Sequence, residues 1–183
     1  MGRDKASIEV EGIPLLLRTL QSLEAVPVTS LLVVGRTGFP GASRDVRFIP
    51  DERPGAGPLA GLLTAARHAG RAHFLLVACD MPWLQTDLLR RLVELSAGQD
   101  AVVPHWAGKL QPLCAVYSAS VAGEAKALLD RGERSLTACV EALPNVRWLT
   151  EDEVRAYDPQ GLSFLNVNTP YDLDRASAYS PHR

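Results

Sequence analysis

The sequence predicts a single α/β domain with a Rossmann-like, doubly wound and mainly parallel sheet in three α/β/α layers. Apolar runs without polar alternation, such as residues 73–78, are typical of parallel strands buried on both faces. Segments with helical apolar spacing alternate with these runs through the first half of the chain. The 183 residues, 46% of them hydrophobic, suffice for one core and contain no repeat or linker. We therefore expect one domain over residues 1–178 and a frayed tail over residues 179–183.

Each element follows from a local pattern of apolar, capping and turn residues. Strands are predicted at residues 30–34, 46–49, 73–78, 100–104, 112–117 and 145–149, after a short alternating stretch at 6–10. Helices are predicted at residues 13–23, 59–69, 85–95, from Ser118 or Ser120 to 129, and 135–143 with Ser135 as N-cap. Residues 164–170 are predicted as a short strand and turn, and 171–176 as a last helical turn or two. The more mixed second half indicates an inserted or appended antiparallel piece.

Composition excludes several classes of protein. The formal charge of −2 gives no basic surface for nucleic acid or for an anionic membrane, and no apolar run would span a bilayer. Cys79, Cys114 and Cys139 are odd in number and far apart, so they fit neither a disulfide framework nor a zinc site. These features predict a cytoplasmic protein with reduced thiols.

Polar groups follow several of the predicted strands. Asp51, Asp80 and the pair Asn166 and Asn168 stand at strand ends, as does Gly35. The carboxyl ends of strands in one doubly wound sheet meet at one edge, where ligands bind. Widely spaced oxygen donors suit Mg²⁺ rather than a softer metal. Asp80 could equally be a turn residue before a proline, and the asparagine pair could form an Asx-turn.

Other residues could approach a nucleotide. Arg3 and Lys5 could face phosphates, and Gly55 and Gly57 could let the main chain come close to a base or ribose. Each signal is weak alone, because isolated lysines are usually solvated and Gly-Pro loops are usually turns.

Taken together and in order, the motifs resemble those of the molybdenum cofactor guanylyltransferases, a nucleotidyltransferase family with a Rossmann-like sheet. The matching segments are residues 1–6, Gly-Ile-Pro-Leu-Leu at 12–16, Gly-Pro-Leu-Ala-Gly-Leu at 57–62, Cys-Asp-Met-Pro at 79–82, Gln-Pro-Leu at 111–113 and Asn-Val-Asn-Thr-Pro at 166–170. They cover nearly the whole chain, and the shared order makes the resemblance specific.

The resemblance implies a reaction and roles for the matching residues. GMP would pass from GTP to the phosphate of Mo-molybdopterin, with Mg²⁺ present and pyrophosphate leaving. Asp80 would hold the metal with help from Asn168, and Lys5 would act beside Asp80 on the phosphates. The remaining GTP-binding residues would be Gly35, Asp51, Gly57, Pro58 and Leu59. Molybdenum insertion proteins and target molybdoenzymes become candidate partners.

The chain departs from the family's pattern at its start. Met1 coincides with the end of the nucleotide-binding signature, so the family's first strand and its Leu-Ala-Gly-Gly loop have no counterpart. We expect that roughly 15–25 further residues precede Met1, about one strand and its loop. Without them, two neighbouring strands would lose a partner, and a chain starting at Met1 would bind GTP weakly and transfer little or no GMP.

Other functions remain open at this point. A molybdopterin cytidylyltransferase or a sugar-phosphate nucleotidyltransferase would share the fold, and a truncated, non-catalytic protein could bind molybdopterin or a molybdoenzyme. His105, Trp106 and Lys109 are weak candidates for contact with the pterin. Trp83 and Trp148 are expected to be packing or loop residues. Arg131 and Arg134 are expected to be solvated, with a minor prospect of meeting the pterin phosphate.

Overall fold

A computed structural model describes residues 4–167 and Asp172. The strands are β1 (Glu9–Val10), β2 (Ile13–Pro14), β3 (Leu31–Val34), β4 (Val46–Ile49), β5 (His73–Val77), β6 (Ala101–Trp106), β7 (Lys109–Leu110), β8 (Cys114–Ser118) and β9 (Val146–Leu149). The helices are α1 (Leu15–Glu24), α2 (Pro58–His68), α3 (Thr86–Glu94), α4 (Ala122–Asp130), α5 (Leu136–Ala142) and α6 (Glu151–Arg155). Short 3-10 helices lie at Lys5–Ser7, Ala119–Val121 and Leu162–Phe164.

The main sheet of the described residues contains β5, β8, β6, β7 and β9, of which β5, β6 and β9 run in one direction. β8 lies between β5 and β6 and is antiparallel to both, so β5 and β6 run the same way. β9 pairs in parallel with β6, and β7 forms a short hairpin with the end of β6. β3 and β4 form a separate parallel pair. The expected doubly wound sheet with an antiparallel piece is confirmed, and that piece is β8 inserted among parallel strands.

Helices cover both faces of this sheet, which makes three layers. Alternate strand residues point in opposite directions. Ala101, Val103 and Tyr117 belong to the core under α2, α4 and α5. Val102 and Val116 belong to the opposite core with α3 and α6. The central strands β6 and β8 are therefore apolar at consecutive positions, as expected of strands buried on both faces.

The prediction that residues 73–78 form a strand buried on both faces holds only in part. Phe74 and Leu76 pack against one core and Leu75 and Val77 against the other, but all five residues of β5 are only half-buried. Within the described part of the chain, β5 pairs along one edge with β8, and its other edge borders a cavity of about 600 Å³. The opposite wall of this cavity includes β3. The apolar run forms the predicted strand, and among the described residues its second edge has no strand partner.

Some element boundaries also differ from the prediction. The helix expected from residue 13 begins at Leu15, because Ile13–Pro14 pairs with Glu9–Val10 in a small hairpin. The strand expected at residue 164 is instead the short 3-10 helix Leu162–Phe164. Ser135 caps α5 as predicted, accepting a hydrogen bond of 3.1 Å from the Ala138 N–H. Apart from Asp172, the elements predicted over 168–176 and the tail at 179–183 lie outside the described residues.

A search of the described helices for membrane spans found none with the length and apolarity needed to cross a bilayer.

Candidate active site

The carboxyl ends of β3 and β5 are tied together by the segment that opens the described chain. The Lys5 ammonium lies 3.5 Å from a carboxylate oxygen of Asp80, which follows β5. The neighbouring Asp4 forms an ion pair with Arg36, which follows β3. Consecutive residues therefore contact the ends of two different strands. This arrangement places Lys5, Asp80 and Arg36 at the edge where α/β sheets bind ligands.

Asp80 lies in the turn after β5, with a side chain that is 18% exposed. Its main-chain carbonyl accepts a hydrogen bond of 2.9 Å from the Val167 N–H. The residues around 166–167 therefore approach Asp80, as expected if the Asn-Val-Asn segment shares its edge. Asn168 lies outside the described residues, so its part in a metal site stays a prediction.

Lys5 and Asp80 make a pair that a ligand can readily rearrange. The Lys5 side chain is 52% exposed. Half-exposed ion pairs contribute about 0–1 kcal/mol, since water screens the attraction and both side chains lose freedom. Opening this pair to admit a phosphate or a cation costs correspondingly little.

Arg36 is a cation at this edge that the sequence analysis did not single out. Hydrogen bonding from Arg36 holds the pKa of Asp4 below its ordinary value. Asp4 also accepts hydrogen bonds from the Ala6 N–H, at 3.3 Å, and from the Ser7 hydroxyl, at 3.0 Å. Asp4 thereby caps the 3-10 turn that carries Lys5. The sequence feature that could have identified Arg36 is its position, because it follows Gly35 at the end of an apolar strand.

Replacing Arg36 by methionine is expected to raise the pKa of Asp4 towards its ordinary value of 3.8. Because folding depresses this pKa, the carboxylate stabilises the fold above pH 3.8, and that contribution is lost as pH falls through the lower folded value. Carboxyl ¹³C titration by NMR measures the shift. The control is Asp130, whose pKa is lowered chiefly by Lys126 and should not respond. An identical Asp4 titration in both proteins would contradict the assignment.

Asp51 organises the loop that leads from β4 to α2. Its Oδ1 accepts hydrogen bonds from the Arg53 N–H at 3.1 Å and from the Thr64 hydroxyl at 3.2 Å. The Thr64 oxygen in turn accepts the Glu52 N–H at 3.1 Å. The buried Thr64 hydroxyl on α2 therefore holds this loop in place. Asp51 has a structural role in the loop that is independent of any ligand.

The Gly57-Pro58-Leu59 segment forms the start of α2. Gly57 has φ 81° and ψ −170°, a conformation open essentially to glycine alone. Pro58 begins the helix, whose N-terminus has no side-chain cap. The Leu59 side chain is completely buried in the core, so only its main chain can face a ligand.

Arg134 reaches the same loop. Its guanidinium donates to the Gly55 carbonyl at 3.4 Å, and its Cβ lies 3.8 Å from the position a Gly57 side chain would take. Arg134 is exposed, as expected, and this contact additionally brings residues 55 and 134 together. Arg131 pairs instead with Glu124 at 3.6 Å.

The cavity between β3 and β5 gathers several predicted residues. Its wall includes Gly35, Asp51 and Pro58, together with Cys79, the residue before Asp80. The structure thus brings the predicted nucleotide-binding residues of three separate segments to one opening. Burial, followed by the adjacent Asp80 charge, raises the pKa of the Cys79 thiol, so this cysteine is not an activated nucleophile.

Trp83 and Trp106 serve in packing, whereas Trp148 is exposed on β9. Trp83 is buried beneath the Arg18 guanidinium, 4.3 Å from the ring centroid. The Trp106 and Phe164 ring centroids lie 6.0 Å apart, and the Arg155 guanidinium lies 4.7 Å from the Trp106 ring centroid. These contacts give Trp106 a packing role that does not require contact with a pterin. His105 is half-buried and Lys109 is exposed on the adjacent hairpin, so they stay weak candidates.

A search among the described residues found no cluster of three or more His, Cys, Asp or Glu side chains that could hold a metal. Asp80 supplies a carboxylate beside Lys5. One carboxylate, completed by water and phosphate oxygens, is a donor set that Mg²⁺ accepts. The site therefore fits a magnesium ion that arrives with a nucleotide better than a resident metal.

A doubly wound sheet with charged groups at its carboxyl edge is typical of α/β domains that bind ligands such as nucleotides. Residues 1–146 match the model of the MobA-like NTP transferase domain, and the chain belongs to that family. A probable molybdenum cofactor guanylyltransferase of Pelotomaculum thermopropionicum is 36% identical over 96% of this chain and 85% of its own length. The molybdenum cofactor guanylyltransferase of Rhizobium meliloti is 30% identical over 100% of this chain and 87% of its own.

Solved structures agree on the fold. The molybdopterin-guanine dinucleotide biosynthesis protein A of Archaeoglobus fulgidus superposes with a TM-score of 0.79 at 29% identity, over 97% of this chain and 90% of that one. A 2-C-methyl-D-erythritol 4-phosphate cytidylyltransferase of Thermus thermophilus superposes with a TM-score of 0.69 at 19% identity, over 95% of this chain and 92% of that one. The latter likeness concerns the fold alone. The predicted fold class and family are confirmed, and the protein is a nucleotidyltransferase.

Proposed function

We propose that the protein transfers GMP from GTP to Mo-molybdopterin, forming the guanine dinucleotide cofactor and releasing pyrophosphate. The observation that carries this proposal is the Lys5–Asp80 pair at the carboxyl end of β5, within a MobA-like NTP transferase domain. The names of the relatives at 30–36% identity support guanylyl transfer in particular. We place the reaction in the cytoplasm, where the well-separated thiols would stay reduced.

The chemistry requires charge stabilisation and positioning rather than a protein nucleophile. A phosphate oxygen of molybdopterin would attack the α-phosphorus of GTP, forming one P–O bond as the bond to pyrophosphate breaks. Lys5 would donate to the phosphates, and its exposure allows it to turn from Asp80 towards them. Arg36, held by Asp4, adds a second positive charge to this edge.

Nucleotide binding would use the loop before α2. The hydrogen bonds from Arg53 and Thr64 engage Oδ1 of Asp51, so Oδ2 is the oxygen that would receive a ribose hydroxyl. The uncapped N-terminus of α2 carries partial positive charge and would favour a nearby phosphate. Arg134, through its contact with Gly55, would fix the loop in place.

Asp80 and Asn168 would hold Mg²⁺. When bound, the ion neutralises charge on the α-phosphate and on the leaving pyrophosphate. The chain's own contribution is to present Asp80 beside Lys5 at an open edge, where phosphate oxygens can complete the metal's coordination.

The test of base choice is a comparison of GTP and CTP. We expect GTP to bind at least about ten times more tightly, because a pocket with hydrogen-bonding groups for guanine leaves them unpaired against cytosine. Isothermal titration with Mg²⁺ measures both affinities, and chromatography of reactions with Mo-molybdopterin identifies the dinucleotide formed. Tighter CTP binding and a cytosine product would establish the cytidylyltransferase instead.

A further inference from the structure

The turn that carries Asp80 is held near both of its ends by one later segment of the chain. This turn, residues 79–85, connects β5 to α3. The Val167 N–H donates a hydrogen bond of 2.9 Å to the Asp80 carbonyl. The Ser163 hydroxyl accepts a hydrogen bond of 2.9 Å from the Gln85 N–H. The segment over residues 158–167 therefore fixes the turn at its start and at its end.

Asp158 organises the segment that makes these two contacts. This residue follows α6 and is only 1% exposed. Its Oδ1 accepts a hydrogen bond of 2.9 Å from the Leu162 N–H, and its Oδ2 accepts one of 2.8 Å from the Ser163 N–H. The buried carboxylate thus fixes the main chain of the residue whose hydroxyl meets Gln85.

The chemistry of the contact requires a carboxylate. Asparagine has the same shape, but its amide nitrogen is a donor, so it could accept from only one of the two N–H groups. A charge is costly to bury, and it is retained where its oxygens are hydrogen-bonded. The need for an acceptor at both oxygens accounts for an aspartate at position 158.

The segment also packs tightly against its surroundings. Gly161 has φ 65°, and a Cβ at this position would lie 2.0 Å from the Trp106 ring, so only glycine fits. Phe164 belongs to the same core cluster as Met81 and Leu84 of the turn. Because such packing transmits strain, a shift of the segment would displace the turn with it.

We propose that Asp158 is a positioning residue for the transfer reaction and that it acts through Ser163 and Val167 to set the position of Asp80. The inference rests on the proposed function, in which Asp80 holds the metal beside Lys5. Displacing a reacting group by ~1 Å can lower a rate by about 10²-fold. Asp158 therefore affects the reaction from a buried position.

The substitution that tests this role is Asp158→Asn. We expect kcat for GMP transfer to fall by about 10²-fold and KM for GTP to stay within about twofold, because the loop before α2 is left intact. The Mg²⁺ concentration that gives half the maximal rate should rise by about tenfold or more. Partial unfolding alone would lower the amount of active protein without changing this Mg²⁺ requirement.

Amide hydrogen exchange gives a second readout that needs neither substrate nor metal. Exchange at Gln85 and Val167 should be faster by about tenfold in Asp158→Asn, because the segment would no longer hold the turn in place. Exchange at Val116, which pairs with Val102 in the centre of the sheet, should be unchanged.

The matched control is Asp100→Asn. The Asp100 carboxylate also accepts a main-chain hydrogen bond, from the Asn145 N–H at 3.0 Å. It precedes β6, whereas Asp80 follows the parallel strand β5, so the two residues lie at opposite edges of the sheet. We expect kcat and the Mg²⁺ requirement of this variant to stay within about twofold of the original.

Ser163→Ala carries the same test if Asp158→Asn does not fold. It removes only the hydroxyl that meets the Gln85 N–H, and it should lower kcat by about tenfold with faster exchange at Gln85. Circular dichroism verifies the folding of every variant.

The outcomes separate this inference from the proposed function. Unchanged kcat in the folded variants, beside an active unsubstituted protein, would overturn the role of Asp158 and leave the proposed function standing. A loss of kcat without faster exchange at Gln85, or an equal loss in Asp100→Asn, would overturn the role as well. No transfer by the unsubstituted protein would overturn the proposed function and this inference together.

Discussion

Replacing Asp80 by asparagine is expected to lower kcat for GMP transfer by about 10³-fold or more, under the proposed reaction. The substitution keeps the shape of the side chain but removes the negative charge that would hold Mg²⁺. The main-chain contact between Asp80 and Val167 does not depend on the side chain, so the fold should persist. Pyrophosphate release, measured with Mo-molybdopterin as acceptor and with saturating GTP and Mg²⁺, gives the rate.

The matched control for this substitution is Asp87→Asn. Asp87 is a highly exposed carboxylate on α3, paired with Arg90 at 3.3 Å and outside the cavity wall. We expect its activity to stay within about twofold of the original, because exposed pairs contribute little. Comparable activity of the two variants would remove Asp80 from the catalytic machinery.

The same variant separates an enzyme from a non-catalytic binding protein. An enzyme would lose transfer in Asp80→Asn while retaining its melting temperature. A protein that only bound molybdopterin or a molybdoenzyme would show no Mg²⁺-dependent pyrophosphate release from the unsubstituted chain. It would also bind its partner equally well with and without the substitution.

The parts of the site that were predictable lie next to strand ends. Asp80 follows an apolar run, and the apolar pattern alone indicates that such a run ends at a sheet edge. Gly57 and Pro58 stand where a helix pattern begins, a position that glycine and proline mark locally. These predictions required only short-range information.

The remaining features depend on tertiary contacts that no local pattern encodes. The insertion of β8 between β5 and β6 pairs residues about 40 positions apart, such as Leu75 and Val116. The contact of Arg134 with Gly55 joins residues 79 positions apart. The ion pair of Arg36 with Asp4 likewise joins residues that are distant in sequence. Apolar periodicity predicts that a strand exists, but not which strands are its neighbours.

Replacing Lys5 by alanine is expected to lower kcat/KM by about 10²-fold, because the proposed transition state would lose a cation beside its phosphates. Lys126→Ala is a close control, since Lys126 is 51% exposed and pairs with Asp130 at 2.5 Å, while Lys5 is 52% exposed and pairs with Asp80. Both substitutions remove one half-exposed lysine and one positive charge, so their effects on net charge match.

Lys5→Arg distinguishes a positional role from one of simple charge. If Lys5 acts as a flexible point charge, arginine should restore about a tenth or more of the activity. The loss in Lys5→Ala should appear mainly in kcat if Lys5 stabilises the transition state, and mainly in KM if it only binds GTP. Equal activities of Lys5→Ala and Lys126→Ala would show that the Lys5–Asp80 ion pair has only a structural role. Asp80 would then act in the reaction without the Lys5 ammonium beside it.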